Sequence, residues 1–502
     1  MLAQRTRWDS EADVVVVGYG SAGSVAAITA HDAGSQVVIL EKQPEQKIVT
    51  SSFLSGGVVI CPSDVDGGRR YLEALYKVGE GLYWTEPEII DVWARYSVEN
   101  VKWMESMGAK TELFVRGGEH NLPGSEAIDV YRVRGLGPGL MRALYGQVKA
   151  RGIPVIYDTR ATTLLTNSRS EVTGVRVSRL ADRGKEVNIR ARRAVILASG
   201  GFEYNEQMKL QYLKVYPCYF TASPALTGDG VGMALDVGAQ LWHMNCCSAS
   251  MIMKFPDFEF GMGPLLGGVN WRSPGTQSVK QTGYDTWYAR HHAKLLVSGG
   301  YIITDRSGKR FTDENFKGHS VFYELTLFDT HRLIYPRVPS YWIFDQRRLS
   351  DGLLAKHSSG PAGPAGLYKW SKDNKAELER GWIKQAGTVK ELAVRLGMEP
   401  ATLAETVNGY NRYCKTGADA EFRRESATLV PLDSPPYYAV ELWPGGPNTQ
   451  GGPRHNANAQ VLRADGTPAP RLYCAGELGS IYGMLYPTSG GNLAECIALG
   501  RV

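Results

Sequence analysis

The stretch from Asp13 to Glu41 constrains the chain most. Val14 to Val17 are four consecutive β-branched residues, the pattern of a strand buried on both faces of a parallel sheet. Gly18, Gly20 and Gly23 follow as G-x-G-x-x-G at the expected strand-to-helix turn. Gly18 allows a tight turn, Gly20 a close approach of backbone to a pyrophosphate, and Gly23 close packing of helix on strand. Ser21 and Ala22 lie in the same turn, where free N–H groups at a helix N-terminus attract phosphate. Ser24 to Ala33 fits the helix, Gly34 stops it, and Gln36 to Leu40 is a second strand. Glu41 at its end is placed to accept hydrogen bonds from a ribose. Strand, glycines, helix, strand and acid together specify a dinucleotide site. The acid argues against a 2′-phosphate but does not separate FAD from NAD.

At 502 residues the chain is long enough for two cores. No apolar run reaches the ~18 residues of a membrane span. The first twelve residues lack the apolar stretch of a secretory signal, which predicts a cytoplasmic protein. Fifty-six basic and 51 acidic residues are too evenly spread to call for nucleic acid. Seven cysteines fall at scattered positions, so neither a disulfide framework nor a metal site is expected.

After Glu41, the segment Lys42 to Gly57 carries Ser52 and the pair Gly56–Gly57, small residues suited to backbone lying against a ligand. Glu86 to Met107 has a helical apolar period, with Thr85 as N-cap and Gly108 as stop. Arg134 to Leu140 mimics a second dinucleotide fingerprint, but Leu140 fills the third glycine position, so a loop before a helix from Pro138 to Arg151 is expected. Ala161 to Arg193 reads as an antiparallel meander, and Ala194 begins a buried strand ending at Ser199–Gly200. Thr227 to Asp236, with Asp229 at its start, is a glycine turn opening a helix. From 251 to 434 aromatics and prolines are frequent, strand signals are irregular, and one helix, Thr388 to Leu396, is clear. This predicts an α/β, Rossmann-like domain in two parts, 1–250 and 435–502, with an inserted α+β substrate domain over 251–434. The C-terminal part has a strand from Arg471 to Cys474, an acidic turn with Gly476 and Glu477, and a helix opened by the turn Ser489–Gly490.

Strands at Asp13, Ala194 and Leu472, each running into a glycine turn, together with Gly308–Glu314, Asn448–Gly452 and Ala475–Glu477, carry a resemblance over nearly the whole chain. It resembles the fumarate reductase/succinate dehydrogenase flavoprotein superfamily, most of all its 3-ketosteroid dehydrogenase branch. The resemblance implies FAD as cofactor and transfer of hydride between flavin N5 and a carbon–carbon bond beside a carbonyl. It places Gly18, Gly20 and Gly23 at the pyrophosphate, Glu41 at the ribose, Ala161 at the adenine, Asp229 near the flavin and Glu477 at the ribityl chain. Asn492 and Leu493 would begin a helix whose N-terminus faces the flavin N1/O2 edge.

The departures select the chemistry. Where fumarate reductases carry an arginine in N-R-x-G-G-N, Tyr486 to Asn492 has Thr488; where they carry a histidine before T-x-G-G, this chain has Asn448. The expected H-P-T is absent from Cys246 to Met251. Without those groups a small dicarboxylate has no anchor. The keto-steroid branch polarises a ketone with a C-terminal tyrosine, the place of Tyr486, and moves a proton with a second tyrosine. Near that second place, after Arg310, stand His319 and Tyr323. The expected substrate is an apolar carbonyl compound, a bulkiness also suggested by Tyr284, Trp287, Tyr288, Trp342 and Trp370, with an unidentified electron donor or acceptor. The alternatives are reduction of an unsaturated acid of the fumarate or urocanate type, a non-catalytic flavoprotein, and an NAD(P)H-dependent reductase with two dinucleotide sites, the last disfavoured by Leu140.

Overall fold

The computed structural model describes residues 6–77, 82–180, 184–266, 300–315, 319, 321–355 and 368–502, with the backbone of Gln277–Ser278. Tyr284, Trp287 and Tyr288 lie outside the described residues.

The first strand, Ser10–Val17, sits inside a sheet and is paired in parallel on both sides. Val14 faces Val37 of the second strand, Val37–Leu40, while Val15 faces Val195 of Lys185–Leu197. Alternation then separates its side chains. Val15 and Val17 pack with Val195, Leu197 and Leu472; Val14 and Val16 pack with Val25, Ile28 and Ile497 on the other face. Full burial of each such valine is worth about 1.5–3 kcal/mol, so the unbroken apolar run is what a doubly covered strand requires. Pro468–Cys474 joins the far side of Lys185–Leu197 in parallel, and Val155–Ile156 extends the sheet beyond Val37–Leu40.

The expected meander is present as Thr159–Thr166, Val172–Arg179 and Lys185–Leu197. Its last member is one thirteen-residue strand, not a meander strand followed by a new one at Ala194. Its early residues pair with Val172–Arg179 and its late ones with the first strand, so no break is needed.

The first helix is Ser21–Asp32, beginning earlier than its apolar residues suggest. The helix read from Glu86 to Met107 is two, Pro87–Ser97 and Asn100–Ser106. At the start of the second, the buried Asn100 side chain donates to the carbonyls of Ile60 and Ala494, a long-range tie. Thr85 does not cap this helix: its hydroxyl donates to the carbonyl of Ile481. The expected helix after the false fingerprint runs from Leu136 to Ala150.

A second sheet is built on the long strand Tyr437–Thr449. It pairs with Cys247–Met253, Ser340–Asp345 and Lys384–Ala386 in antiparallel fashion, and with Tyr219–Phe220 in parallel. Its strands therefore straddle residues 251 and 434. Val389–Arg395 is a helix with a full Thr388–Glu391 capping box. Pro400–Thr416, a longer helix, escaped the sequence reading because only Leu403, Val407 and Tyr410 are buried among its seventeen residues. Trp342 and Trp370 are core residues here, so they pack the fold rather than line a ligand cavity. A third sheet, formed by Val58–Ile60, Asp129–Val133, Thr111–Arg116 and Gln277–Ser278, leads directly into Gly117–His120.

Candidate active site

One groove opens at the C-terminal ends of the parallel strands. Gly18, Gly20, Ser21, Ala22, Glu41, Lys42, Ser52, Ala161, Ser199, Gly200, Asp229 and Glu477 all line it. Two of the fingerprint glycines answer to packing. A Cβ on Gly18, whose φ is +104°, would lie 2.4 Å from the carbonyl oxygen of Ala198, and one on Gly23 would lie 2.0 Å from that of Gly18. Gly20 has room, its nearest neighbour being Ser52 Oγ at 3.6 Å, so its bareness serves the groove. Glu41 is buried and accepts the N–H groups of Tyr19 (3.1 Å) and Gln43 (2.8 Å). Burial pushes its carboxyl up, against the pull of those two bonds.

Asp229 is bound from two sides, by Lys42 Nζ at 2.7 Å and Arg160 Nη2 at 2.7 Å. Burial raises its pKa, but the two cations outweigh it and hold the carboxyl below its ordinary range. Ser52 accepts the Ser21 N–H at 3.1 Å and shares a 2.8 Å hydrogen bond with its hydroxyl, tying residues 51–54 to the phosphate turn. Gly56 and Gly57 do not line the groove. Gly57, at φ +60°, backs onto Leu136, where a Cβ would lie 2.3 Å from the backbone, and a Cβ on Gly137 would strike Ser52, Phe53 and Ser55. Gly137 of the false fingerprint thus braces the 50s segment. Glu477 in the lining accepts the Gly201 N–H at 3.1 Å, and beside it Glu203 accepts the Thr449 N–H at 2.6 Å. Burial and the adjacent Glu203 push the Glu477 carboxyl well above its ordinary value. Gly476, at φ +79°, packs against Ala22.

The last helix, Gly491–Leu499, joins the groove to a second cluster. Cys496 lines the groove, and Asn492 lies one turn before it on the same face. The Asn492 N–H donates to the hydroxyl of Tyr486 at 2.8 Å, so that helix-terminal amide is engaged by the tyrosine rather than left open toward a flavin. Its side chain is held by Gln450 and Asn448 at the end of the long strand. Ser489 is half-buried at the turn, and Leu493 is buried. The ring of His319 meets Tyr486 edge-on, centroids 4.5 Å apart. His319 is held in turn by Glu119, which accepts its backbone N–H at 2.7 Å and pairs with Nδ1 at 3.1 Å. Tyr486 and His319, 167 positions apart in sequence, are brought together; Glu119 was not singled out by any motif.

The profile of the FAD binding domain matches residues 13–493, nearly the whole chain. The chain belongs to this family. The flavoprotein is 27% identical over 593 residues to a 3-oxosteroid 1-dehydrogenase of Mycobacterium tuberculosis, covering 98% of this chain and 97% of that one. It is 27% identical over 512 residues to a cytochrome fumarate reductase of Shewanella frigidimarina, covering 98% and 76%. Among solved structures it matches a 3-ketosteroid Δ1-dehydrogenase from Sterolibacterium denitrificans in complex with 1,4-androstadiene-3,17-dione. The TM-score is 0.78 at 22% identity, with 98% of each chain covered, a likeness of fold. The protein is an FAD-dependent oxidoreductase, as the residues led one to expect.

The groove fits that cofactor on its own evidence. The Ser199 hydroxyl is buried in its lining without a protein hydrogen-bond partner, a polar atom that a bound ribityl or phosphate group would satisfy. Glu41 and Ala161 would hold the adenosine end, the Gly18–Gly23 turn the pyrophosphate, and Ser199 with Glu477 the ribityl end.

Arg310, expected at the reacting centre, is committed elsewhere. Arg310 is buried and saturated by Glu314 (2.7 Å on both prongs) and Asp419 (2.8 Å), lying over the rings of Tyr410 and Phe422. Its motif is a structural ion network, with Arg424 on the other side of Glu314. Tyr323 is half-buried beside Cys246 and Lys214, and its hydroxyl makes no hydrogen bond of ordinary geometry. The departures from the fumarate pattern hold in space as well. Asn448 is committed to Asn492, the Thr488 carbonyl accepts the Gly491 N–H, and Thr488 itself is buried.

Among the described residues no helix is long and apolar enough to cross a membrane.

Proposed function

We propose that this flavoprotein adds or removes hydrogen across a carbon–carbon bond next to a ketone, on a bulky apolar ring substrate of the ketosteroid kind. The observation that carries the reading is the Tyr486 hydroxyl held by the Asn492 N–H at 2.8 Å with the His319 ring at its edge. A hydroxyl that accepts a helix-terminal N–H keeps its own hydrogen to donate, and its oxygen is polarised by the positive end of the helix. Burial pushes the phenol's pKa far above its ordinary value, so Tyr486 stays protonated and acts as a hydrogen-bond donor to a carbonyl. Such a bond acidifies the neighbouring C–H, and His319 is the group beside it that takes or returns that proton. Bound FAD supplies the hydride acceptor or donor.

Seven unpaired thiols support a reducing compartment, the cytoplasm. The reading of the substrate rests on the named relatives and on the missing carboxylate anchors at Thr488 and Asn448. Anaerobic mixing of photoreduced holoenzyme with 1,4-androstadiene-3,17-dione or with fumarate tests it. Reoxidation by the steroid dienone and not by fumarate is expected; reoxidation by fumarate alone would overturn it.

A further inference from the structure

Tyr486 and His319 are linked through a third residue. Gly117 and Gly118 precede Glu119, and a Cβ on Gly118 would lie 2.1 Å from the ring of Tyr71, so glycine is what lets this segment pass the tyrosine. There the Glu119 backbone N–H donates to the carbonyl of Pro487 at 2.9 Å. The Tyr71 hydroxyl donates to the same carbonyl at 2.6 Å and accepts the His120 N–H at 3.2 Å. Glu119 is therefore fastened through its backbone to the residue that follows Tyr486. Through its side chain it is fastened to His319, taking the backbone N–H on one carboxylate oxygen (2.7 Å) and ring Nδ1 on the other (3.1 Å).

The carboxylate is 6% exposed and the imidazole 13%, so water does not compete for these bonds. Burial raises the Glu119 pKa, but His319 and its two hydrogen bonds outweigh it and keep the carboxyl below its ordinary range. An ionised carboxylate only accepts, so the hydrogen facing it sits on Nδ1, and in the neutral imidazole the lone pair is then on Nε2.

We propose that Glu119 is a positioning residue: it fixes the His319 tautomer and holds its ring edge-on to Tyr486, so that Nε2 exchanges the proton with the substrate carbon next to the ketone. This rests on the reading of Tyr486 and His319 given above. The proton step balances within the site. The C–H bond breaks, an N–H bond forms on Nε2, and the electron pair moves onto the ketone oxygen held by Tyr486. The resulting imidazolium is neutralised by the Glu119 carboxylate, which itself stays ionised.

A double-mutant cycle on FAD-loaded enzyme with 4-androstene-3,17-dione tests this. Glu119→Gln should lower kcat about 100-fold with KM and flavin content little changed, and Glu119→Asp should fall between it and the wild type. In a His319→Ala background Glu119→Gln should cost almost nothing more, because a positioning residue has no effect once its partner is gone. An equal cost in both backgrounds, or wild-type kcat in both Glu119 variants, would overturn the proposal. If Tyr486→Phe is inactive while Glu119→Gln is fully active, only the role of Glu119 falls. If Tyr486→Phe and His319→Ala both turn over normally, the reading of the site falls with it.

Discussion

The hydroxyl of Tyr486 accepts the backbone N–H of Asn492, six residues on, at 2.8 Å. The bond sets a phenol at the mouth of the last helix and leaves its hydrogen for a ligand oxygen. Cys496, one turn along the same helix, lines the cofactor groove, so a single short element sets the donor against the cofactor site. Tyr486→Phe removes the donor without altering the ring packing against His319 and Tyr482. Turnover should fall about 10²–10³-fold, the usual cost of losing one preorganised donor, while the flavin spectrum and content stay as in the wild type.

Gly23→Ala tests the cofactor turn. Its methyl would lie 2.0 Å from the Gly18 carbonyl oxygen, which is backbone and cannot swing aside. The helix must lift from the strand, at a cost of about 1–3 kcal/mol, and the phosphate-binding amides move with it. Lower flavin content in the purified protein and a lower melting temperature are expected together.

The βαβ unit was legible because everything that shapes it is local: the valine run, the spacing of Gly18 and Gly23, and Glu41 at the strand end. Tyr486 and His319 were legible as residue types at family positions. Glu119 was not, since it meets His319 across 200 positions and only the packing of Gly118 on Tyr71 brings them together. Arg310 misled for the converse reason. Its motif was visible, but its second partner, Asp419, lies 109 positions away and takes the guanidinium out of reach of any substrate. Gly57 looked like a ligand-facing glycine and instead accommodates the backbone of Leu136, a contact that spacing alone does not reveal.

Glu495 gives the stability a pH dependence. It is fully buried and accepts from the Ser480 hydroxyl and the Ile481 N–H, each at 2.7 Å; burial pushes its carboxyl up to about 8 from an ordinary 4.5. The folded state therefore holds a proton that the unfolded chain has released, and stability contributed by this group declines as pH rises from about 5 to about 8. Glu495→Gln keeps the shape and removes the titration. Melting temperatures measured across that range should fall less steeply in the variant than in the wild type.

Arg310→Ala should act on folding. It leaves Glu314 and Asp419 buried with one cation fewer between them, and breaking a buried pair from one side costs about 3–5 kcal/mol. Chemical denaturation of the holoprotein should show a loss of that order, larger than for Arg380→Ala, whose ion pair with Asp257 lies at the surface.

The central claim is that Tyr486 activates a ring ketone for hydrogen exchange at the neighbouring carbons. Anaerobic addition of 4-androstene-3,17-dione to the oxidised holoenzyme, followed at the flavin's visible absorption band, addresses it most directly. The account predicts rapid bleaching in the wild type and bleaching slowed at least about 100-fold in Tyr486→Phe with its flavin fully bound. Equal bleaching rates in the two proteins, or no bleaching of the wild type by the ketone, would contradict it.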